Sequence, residues 1–183
     1  MARPSVALVQ ALRTTARRLE SAKAIYRWSS FAHCNCGHLA QTVTGLGARE
    51  IEEGALEREG DWGEQAAAHP TSGWNVPRPH PRPDYGSRLP LDEGAWEPEN
   101  VGACNVTGTP LDAVLDRLYE LGLTPDDVRN LERLGDSVVR RRLGTNTEYF
   151  AHHERANVVK YLHAWADLLE EELTEGSALL AAQ

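Results

Sequence analysis

Two helix starts of the same kind, Thr109-Pro110-Leu111-Asp112 and Thr124-Pro125-Asp126-Asp127, constrain the fold of this chain more than any other feature. In each, the threonine can cap the first turn, the proline suits the first helical position, and an acidic residue stands at the third. Apolar residues follow the first start at helical spacing, namely Leu111, Val114, Leu115, Leu118 and Leu121. This pattern predicts amphipathic helices that bury one face.

The same periodicity continues along most of the 183 residues, and no strand-like alternation of useful length interrupts it. It predicts helices over Val6–Arg27, from Gly37 or His38 to a break at Gly45, over Ala48–Arg58, from a cap at Asp61, after Thr124, over Asp136–Leu143 and over Glu148–Leu173. A chain of this length usually forms one domain. We therefore predict an all-α protein in which residues 1–183 form a single helical domain.

The composition changes after His69, where prolines become frequent. Alternating proline in Pro77-Arg-Pro-His-Pro-Arg-Pro83 favours an extended, polyproline-like backbone and excludes a helix. Trp74 and Trp96 argue against a fully disordered segment, because disordered segments are usually poor in aromatic residues. We therefore predict that residues 74–103 form an ordered, proline-rich loop insertion over the helical body.

Charge and hydropathy exclude some classes of function. The formal net charge of −8 and the absence of a long basic run argue against a general nucleic-acid-binding protein. No apolar run approaches the roughly 20 residues of a membrane span, and charges interrupt the N-terminal apolar residues. We therefore expect a cytoplasmic protein that binds neither nucleic acid nor membrane, with cysteines that are reduced or chemically active.

The string His33-Cys34-Asn35-Cys36-Gly37-His38 contains two of the three cysteines and two of the seven histidines. The third cysteine, Cys104, precedes the helix start at Thr109. Because both thiol sites precede predicted helix N-termini, we expect the helix dipole to lower the pKa values of these cysteines. Three cysteines and His38 would suit a tetrahedral zinc ion, and three cysteines alone would suit an iron–sulfur cluster with one open iron.

Helix geometry decides which of these side chains can share a metal ion. In an extended segment Cys34, Cys36 and His38 point the same way, whereas in a helix Cys36 and His38 point nearly opposite ways. They can therefore act together only if the helix begins at or after His38. If it begins at Asn35, His33 or His69 becomes the better fourth ligand.

These observations favour a cytosolic metalloprotein with metal ligands Cys34, Cys36, Cys104 and His38. An enzyme acting on a small molecule is one form that such a protein could take. Cys36 and His38 are the candidate catalytic residues. One alternative is a metal-free thiol or redox enzyme in which Cys36 or Cys34 attacks and a histidine acts as base. The other is a non-catalytic helical interaction module whose proline-rich loop binds a partner.

The ten residues from His33 to Thr42, together with Asp61-Trp62 and the segment 164–171, resemble a group of small helical bacterial proteins that carry a Cys-Asn-Cys-Gly-His-Leu motif. The resemblance covers the chain apart from roughly residues 74–103. It implies that the string acts as a unit, and it implies no particular activity.

Overall fold

The computed structural model describes residues 1–21, 23–70, 110–145 and 149–181. This part of the chain contains eight α-helices and no strand, so the predicted all-α fold is confirmed. The helices are α1 (Val6–Glu20), α2 (Asn35–Thr44), α3 (Ala48–Leu56), α4 (Trp62–Ala67), α5 (Pro110–Glu120), α6 (Pro125–Arg133), α7 (Ser137–Arg142) and α8 (Arg155–Ala181). The predicted insertion at 74–103 and the third cysteine, Cys104, lie outside the described residues.

The polar residues predicted to start helices do so by hydrogen bonding to the first turn. At α6 the Thr124 hydroxyl accepts from the Asp127 N–H at 3.2 Å, and the Asp127 carboxylate accepts from the Thr124 N–H at 2.9 Å. Asp61 and Glu64 form the same reciprocal box at α4. Asp136 caps α7. Because these starts depend on local chemistry alone, the sequence located them correctly.

Three helices have boundaries that differ clearly from the prediction. The first helix ends at Glu20 rather than Arg27, where Ser21 is extended. The second begins at Asn35 rather than at Gly37 or His38. The last helix spans Arg155–Ala181 rather than Glu148–Leu173. Just before its start, the His152 carbonyl accepts from the side chains of Tyr26 and Asn35, contacts that compete with an earlier helix start.

Helices α1 and α8 make the most extensive helix–helix contact. Arg13 of α1 pairs with Asp167 at 2.9 Å and with Glu170 at 2.6 Å, while Glu20 pairs with His163 at 3.0 Å. The residue of α1 with the higher number, Glu20, pairs with the residue of α8 that has the lowest number, His163. The two helices are therefore antiparallel. None of the helices in the described ranges combines the length and the apolar character that a membrane crossing requires.

Helix α2 occupies the centre of the described body. Every residue from Asn35 to Gln41 is buried, and α2 contacts α1, α3, α5 and α6. Around it lies a continuous apolar core whose largest fully buried side chains are Trp62, Trp165, Tyr161, Leu8, Leu12, Leu19, Leu39, Ile51, Leu111, Leu115, Leu118 and Leu131. The Cys-Asn-Cys-Gly-His string therefore starts the most enclosed helix of the described part.

Candidate functional site

Cys34 caps the N-terminus of α2 with its sulfur. Its Sγ accepts a hydrogen bond from the Gly37 N–H at 3.5 Å and lies 3.4 Å from the Phe31 carbonyl, to which the thiol donates. Burial raises the pKa of the Cys34 thiol to about 12, although the Gly37 N–H acts in the opposite direction. The expectation that the helix N-terminus would lower this pKa is therefore wrong, because desolvation outweighs the dipole.

Cys36 lies deeper than Cys34, with 1% of its surface exposed. Its thiol donates to the Val128 carbonyl of α6 at 3.5 Å. Burial raises its pKa well above the ordinary value, and the neighbouring Cys34 and Glu132 raise it further. Neither thiol is in a disulfide, and the raised pKa values favour the protonated form of both, which is a poor nucleophile.

Asn35 ties the start of α2 to the end of α6. Its Nδ2 donates to the carbonyls of Leu131 and Glu132 at 3.1 and 2.9 Å, and its Oδ1 accepts from the Tyr26 hydroxyl at 2.6 Å. The residue is completely buried. Its amide thus binds two carbonyls in the last turn of α6, where backbone carbonyls lack regular helical partners.

Gly37 permits a close approach between α2 and the preceding loop. A Cβ at this position would lie 2.0 Å from the Phe31 carbonyl oxygen and 2.5 Å from the Ala32 carbonyl. No side chain fits there without moving backbone. The glycine is therefore required by packing rather than by its own dihedral angles.

His38 faces the loop that precedes α2. Its Nε2 lies 2.9 Å from the Ile25 carbonyl, so this nitrogen carries the proton and donates, while Nδ1 is buried without a hydrogen-bond partner in the described structure. Burial lowers the pKa of His38 to about 4, with a smaller effect from Arg18 in the same direction. The imidazole is consequently neutral at physiological pH.

Gln41, one turn after His38, also holds this loop. Its Nε2 donates to the Ala32 carbonyl at 2.6 Å, and its Oε1 accepts from Arg18 at 2.5 Å. Glu52 contributes from α3, where its carboxylate accepts from the Ala32 N–H at 2.8 Å and from Ser30 at 2.7 Å. The loop before α2 is thus fixed by side chains from α2 and α3.

Glu132 is a buried residue of this region that the sequence analysis did not single out. Its carboxylate accepts from the N–H groups of Trp62 and Gly63, at 3.3 and 3.2 Å, at the start of α4. Burial and the nearby Asp61 raise its pKa. Its place four residues after the buried Val128 was the available sequence signal, because that spacing puts both side chains on the inner face of α6.

The structure brings Cys34 and Cys36 into one buried region but directs the His38 Nε2 to the Ile25 carbonyl. Since α2 begins at Asn35, Cys36 and His38 lie on different sides of the helix. Within the described residues, no group of three or more His, Cys, Asp or Glu side chains is arranged to hold a metal ion. The four-ligand set with Cys104 stays a prediction, because Cys104 lies outside those residues.

The alternative histidine ligands also have other partners. The His33 Nδ1 lies 3.0 Å from the Ser30 hydroxyl. His69 contacts two aspartates of α5, as described below. These contacts direct neither His33 nor His69 towards the thiols of Cys34 and Cys36.

Known proteins give no further guidance. No protein-family model matches this sequence, and neither the curated proteins nor the solved structures searched contain a match. The similarity to small helical bacterial proteins therefore stays a prediction from the string itself. Function is inferred from the chemistry and burial of the described side chains.

A second cluster of charged groups lies where α3, α4 and α5 meet. Arg58 Nη2 is 2.6 Å from Asp112 Oδ2, and His69 Nε2 is 3.3 Å from Asp112 Oδ1 and 3.5 Å from Asp116 Oδ1. His69 and Asp112 are each about 2% exposed. The Tyr119 ring meets the imidazole edge-on with centroids 5.5 Å apart. We call Arg58, His69, Asp112 and Asp116 the ionic cluster.

Proposed function

We propose that this chain is a non-catalytic helical interaction module whose partner-binding element is the proline-rich segment 74–103. The single observation that supports it best is the ionic cluster. His69 lies five residues before this segment and Asp112 nine residues after it, and the two side chains are 3.3 Å apart. The helical body therefore holds the residues that flank the segment on either side close together.

Holding the residues that flank segment 74–103 close together lowers the entropy cost of binding a partner. A segment whose ends are already joined has less conformational freedom to lose when a partner orders it. Alternating prolines reduce that loss further, because proline restricts φ before binding occurs. The charged side chains Arg78 and Arg82 stand between these prolines and supply polar contacts for recognition.

The burial of the cysteine string supports the same proposal over the thiol-enzyme alternative. A nucleophilic cysteine needs a thiolate that the substrate can reach. Cys34 and Cys36 are 4% and 1% exposed, their pKa values are raised, and their thiols donate to backbone carbonyls. Every residue from Cys34 to His38 has a packing or hydrogen-bonding role instead.

The test uses the immobilised full-length chain and a lysate of the source cells. We expect a partner to be retained by the wild type and released by a synthetic peptide of residues 74–103, but not by a peptide of the same composition in scrambled order. A variant with Pro77, Pro79, Pro81 and Pro83 replaced by alanine should not retain it. A Cys36→Ser variant, the matched control, should retain it. Retention that depends on Cys36 and not on the prolines would overturn the proposal.

A three-cysteine metal centre is the second candidate, with zinc or an iron–sulfur cluster as cofactor. The observation that favours it is that the two cysteines, Cys34 and Cys36, are both buried at the start of the same helix. Metal analysis and the absorption spectrum of protein purified without oxygen test it directly. Stoichiometric metal that is lost in Cys104→Ser and in Cys36→Ser would establish this centre. Metal-free wild-type protein would exclude it.

A further inference from the structure

Two neighbouring loops, residues 23–28 and 149–155, form a surface that the proposed function does not use. The Arg155 guanidinium donates to the Ala24 carbonyl at 3.4 Å, and the Tyr26 hydroxyl lies 3.1 Å from the His152 carbonyl. These contacts hold the loops side by side. We call their exposed face the aromatic-basic patch.

Large apolar side chains are exposed on this patch. The exposed fractions are 64% for Ile25, 43% for Trp28 and 78% for Tyr149. Trp28 is nevertheless held in place, because its ring packs against His152 with centroids 4.8 Å apart and planes inclined by 57°. A tryptophan that is both exposed and supported loses little entropy on binding, which is why such residues act as anchors in interfaces.

The charge around these side chains is opposite to that of the whole chain. Residues 23–28 and 149–155 contain the exposed cations Lys23, Arg27 and Arg155 and a single carboxylate, Glu154. The chain as a whole has a net charge of −8. The patch is therefore a local positive field around apolar anchors on an otherwise acidic protein.

We propose that the aromatic-basic patch binds an acidic peptide segment that carries an aromatic or large aliphatic side chain. The apolar residue of the ligand would pack on Trp28 and Ile25, and its carboxylates would pair with Arg27 and Arg155. A short peptide places its charges over the patch alone. A nucleic acid would bring many more phosphates than the patch has cations to a protein whose net charge is −8, which disfavours it.

The probe is a fluorescein-labelled peptide of glutamates around one phenylalanine and one leucine, titrated with the full-length protein and followed by anisotropy. We expect saturable binding that weakens with added salt, because the rim contacts are charge pairs at the surface. Trp28→Ala should weaken binding about tenfold or more, whereas Trp28→Phe should keep most of it. The double variant Arg27→Glu and Arg155→Glu should also weaken it about tenfold or more.

Matched controls separate the patch from general effects on the surface. Leu56→Ala removes another exposed apolar side chain, 66% exposed, and Arg49→Glu reverses an exposed charge on α3. Both should bind like wild type, and circular dichroism melts check that every variant is folded. Unchanged affinity in folded Trp28→Ala would overturn the proposal. So would tighter binding of a lysine-based peptide, a single-stranded oligonucleotide or anionic vesicles than of the acidic probe. None of these results bears on the role of residues 74–103.

Discussion

Each residue from Cys34 to His38 meets a separate local requirement at the start of α2. Cys34 satisfies an N–H of the first turn, and Asn35 satisfies carbonyls at the end of α6. Cys36 packs in the core, and Gly37 lets the backbone of Phe31 and Ala32 approach α2 closely. His38 donates a hydrogen bond to the Ile25 carbonyl of the preceding loop. Cysteine and histidine are residue types that suggest metal or redox chemistry. In this helix start, each of them makes a structural contact.

Gly37→Ala tests the close approach. The added methyl would lie 2.0 Å from the Phe31 oxygen, and that atom belongs to backbone that several side chains hold. We expect a loss of about 3 kcal/mol or more in the free energy of unfolding, measured by urea denaturation. Gly176→Ala in α8 is the control, because nothing lies within 4 Å of its Cβ. It should gain about 0.5–1 kcal/mol from helix propensity. Equal stability of the two variants would contradict the packing account.

The pKa of His38 predicts how stability depends on pH. The folded value is about 4 against 6.5 for the unfolded chain, so between these values the unfolded state binds more protons. Stability from this residue is therefore complete above pH 6.5 and lost as the pH falls to 4, by about 3 kcal/mol.

Urea denaturation across this pH range measures that dependence. His38→Gln keeps a donor for the Ile25 carbonyl but does not titrate, so its stability should fall less on acidification than that of wild type. If the His38→Gln and wild-type curves are parallel, His38 does not titrate as a buried neutral imidazole.

At the scale of helices, α2 is positioned by contacts at its first turn. Its N-terminal end meets the end of α6 through Asn35 and the Val128 carbonyl through Cys36. The loop before it is held by Gln41 from α2 and by Glu52 from α3. Disturbing this junction should therefore affect the whole body rather than one helix end.

Asn35→Asp changes the junction with almost no change in volume. The carboxylate has no N–H to offer the Leu131 and Glu132 carbonyls and places negative charge against them. We expect a loss of about 3 kcal/mol or more at neutral pH, measured by chemical denaturation. Asn157→Asp also removes an amide donor, here to the Ala151 carbonyl and the Glu154 carboxylate, but at a partly exposed position in the first turn of α8. Water and the helix dipole offset that loss, so stability should fall by only about 1 kcal/mol. Comparable losses in both variants would show that the α2–α6 junction has no special role.

Helix starts with usual capping residues were predictable, as Thr124, Asp61 and Asp136 demonstrate. The start of α2 was not, because cysteine is an unusual cap and its position depends on the loop packed against Gly37. The sign of the thiol pKa shifts was also missed, since burial cannot be judged from a short string. The ionic cluster escaped notice because His69 and Asp112 are far apart in sequence.

At the scale of the whole molecule, the ionic cluster joins the ends of α3 and α4 to α5 through residues that all lie outside the segment 74–103. Replacing residues 74–103 by a short glycine–serine linker should leave a cooperative thermal transition, because the groups that join α3, α4 and α5 all lie outside the deletion. The change in loop length itself should alter stability by only about 1 kcal/mol. Circular dichroism melts measure this. A non-cooperative transition would show that the segment belongs to the core.

The cap at Cys34 has a consequence for recognising remote relatives. Serine, threonine and aspartate cap helices better than cysteine does, and each supplies an acceptor for the Gly37 N–H. Glycine at position 37 and asparagine at position 35 have no comparable replacement, given the contacts they make. A search pattern that requires Asn-x-Gly-His and tolerates Ser, Thr or Asp before it should therefore find distant sequences that a cysteine-based pattern would discard.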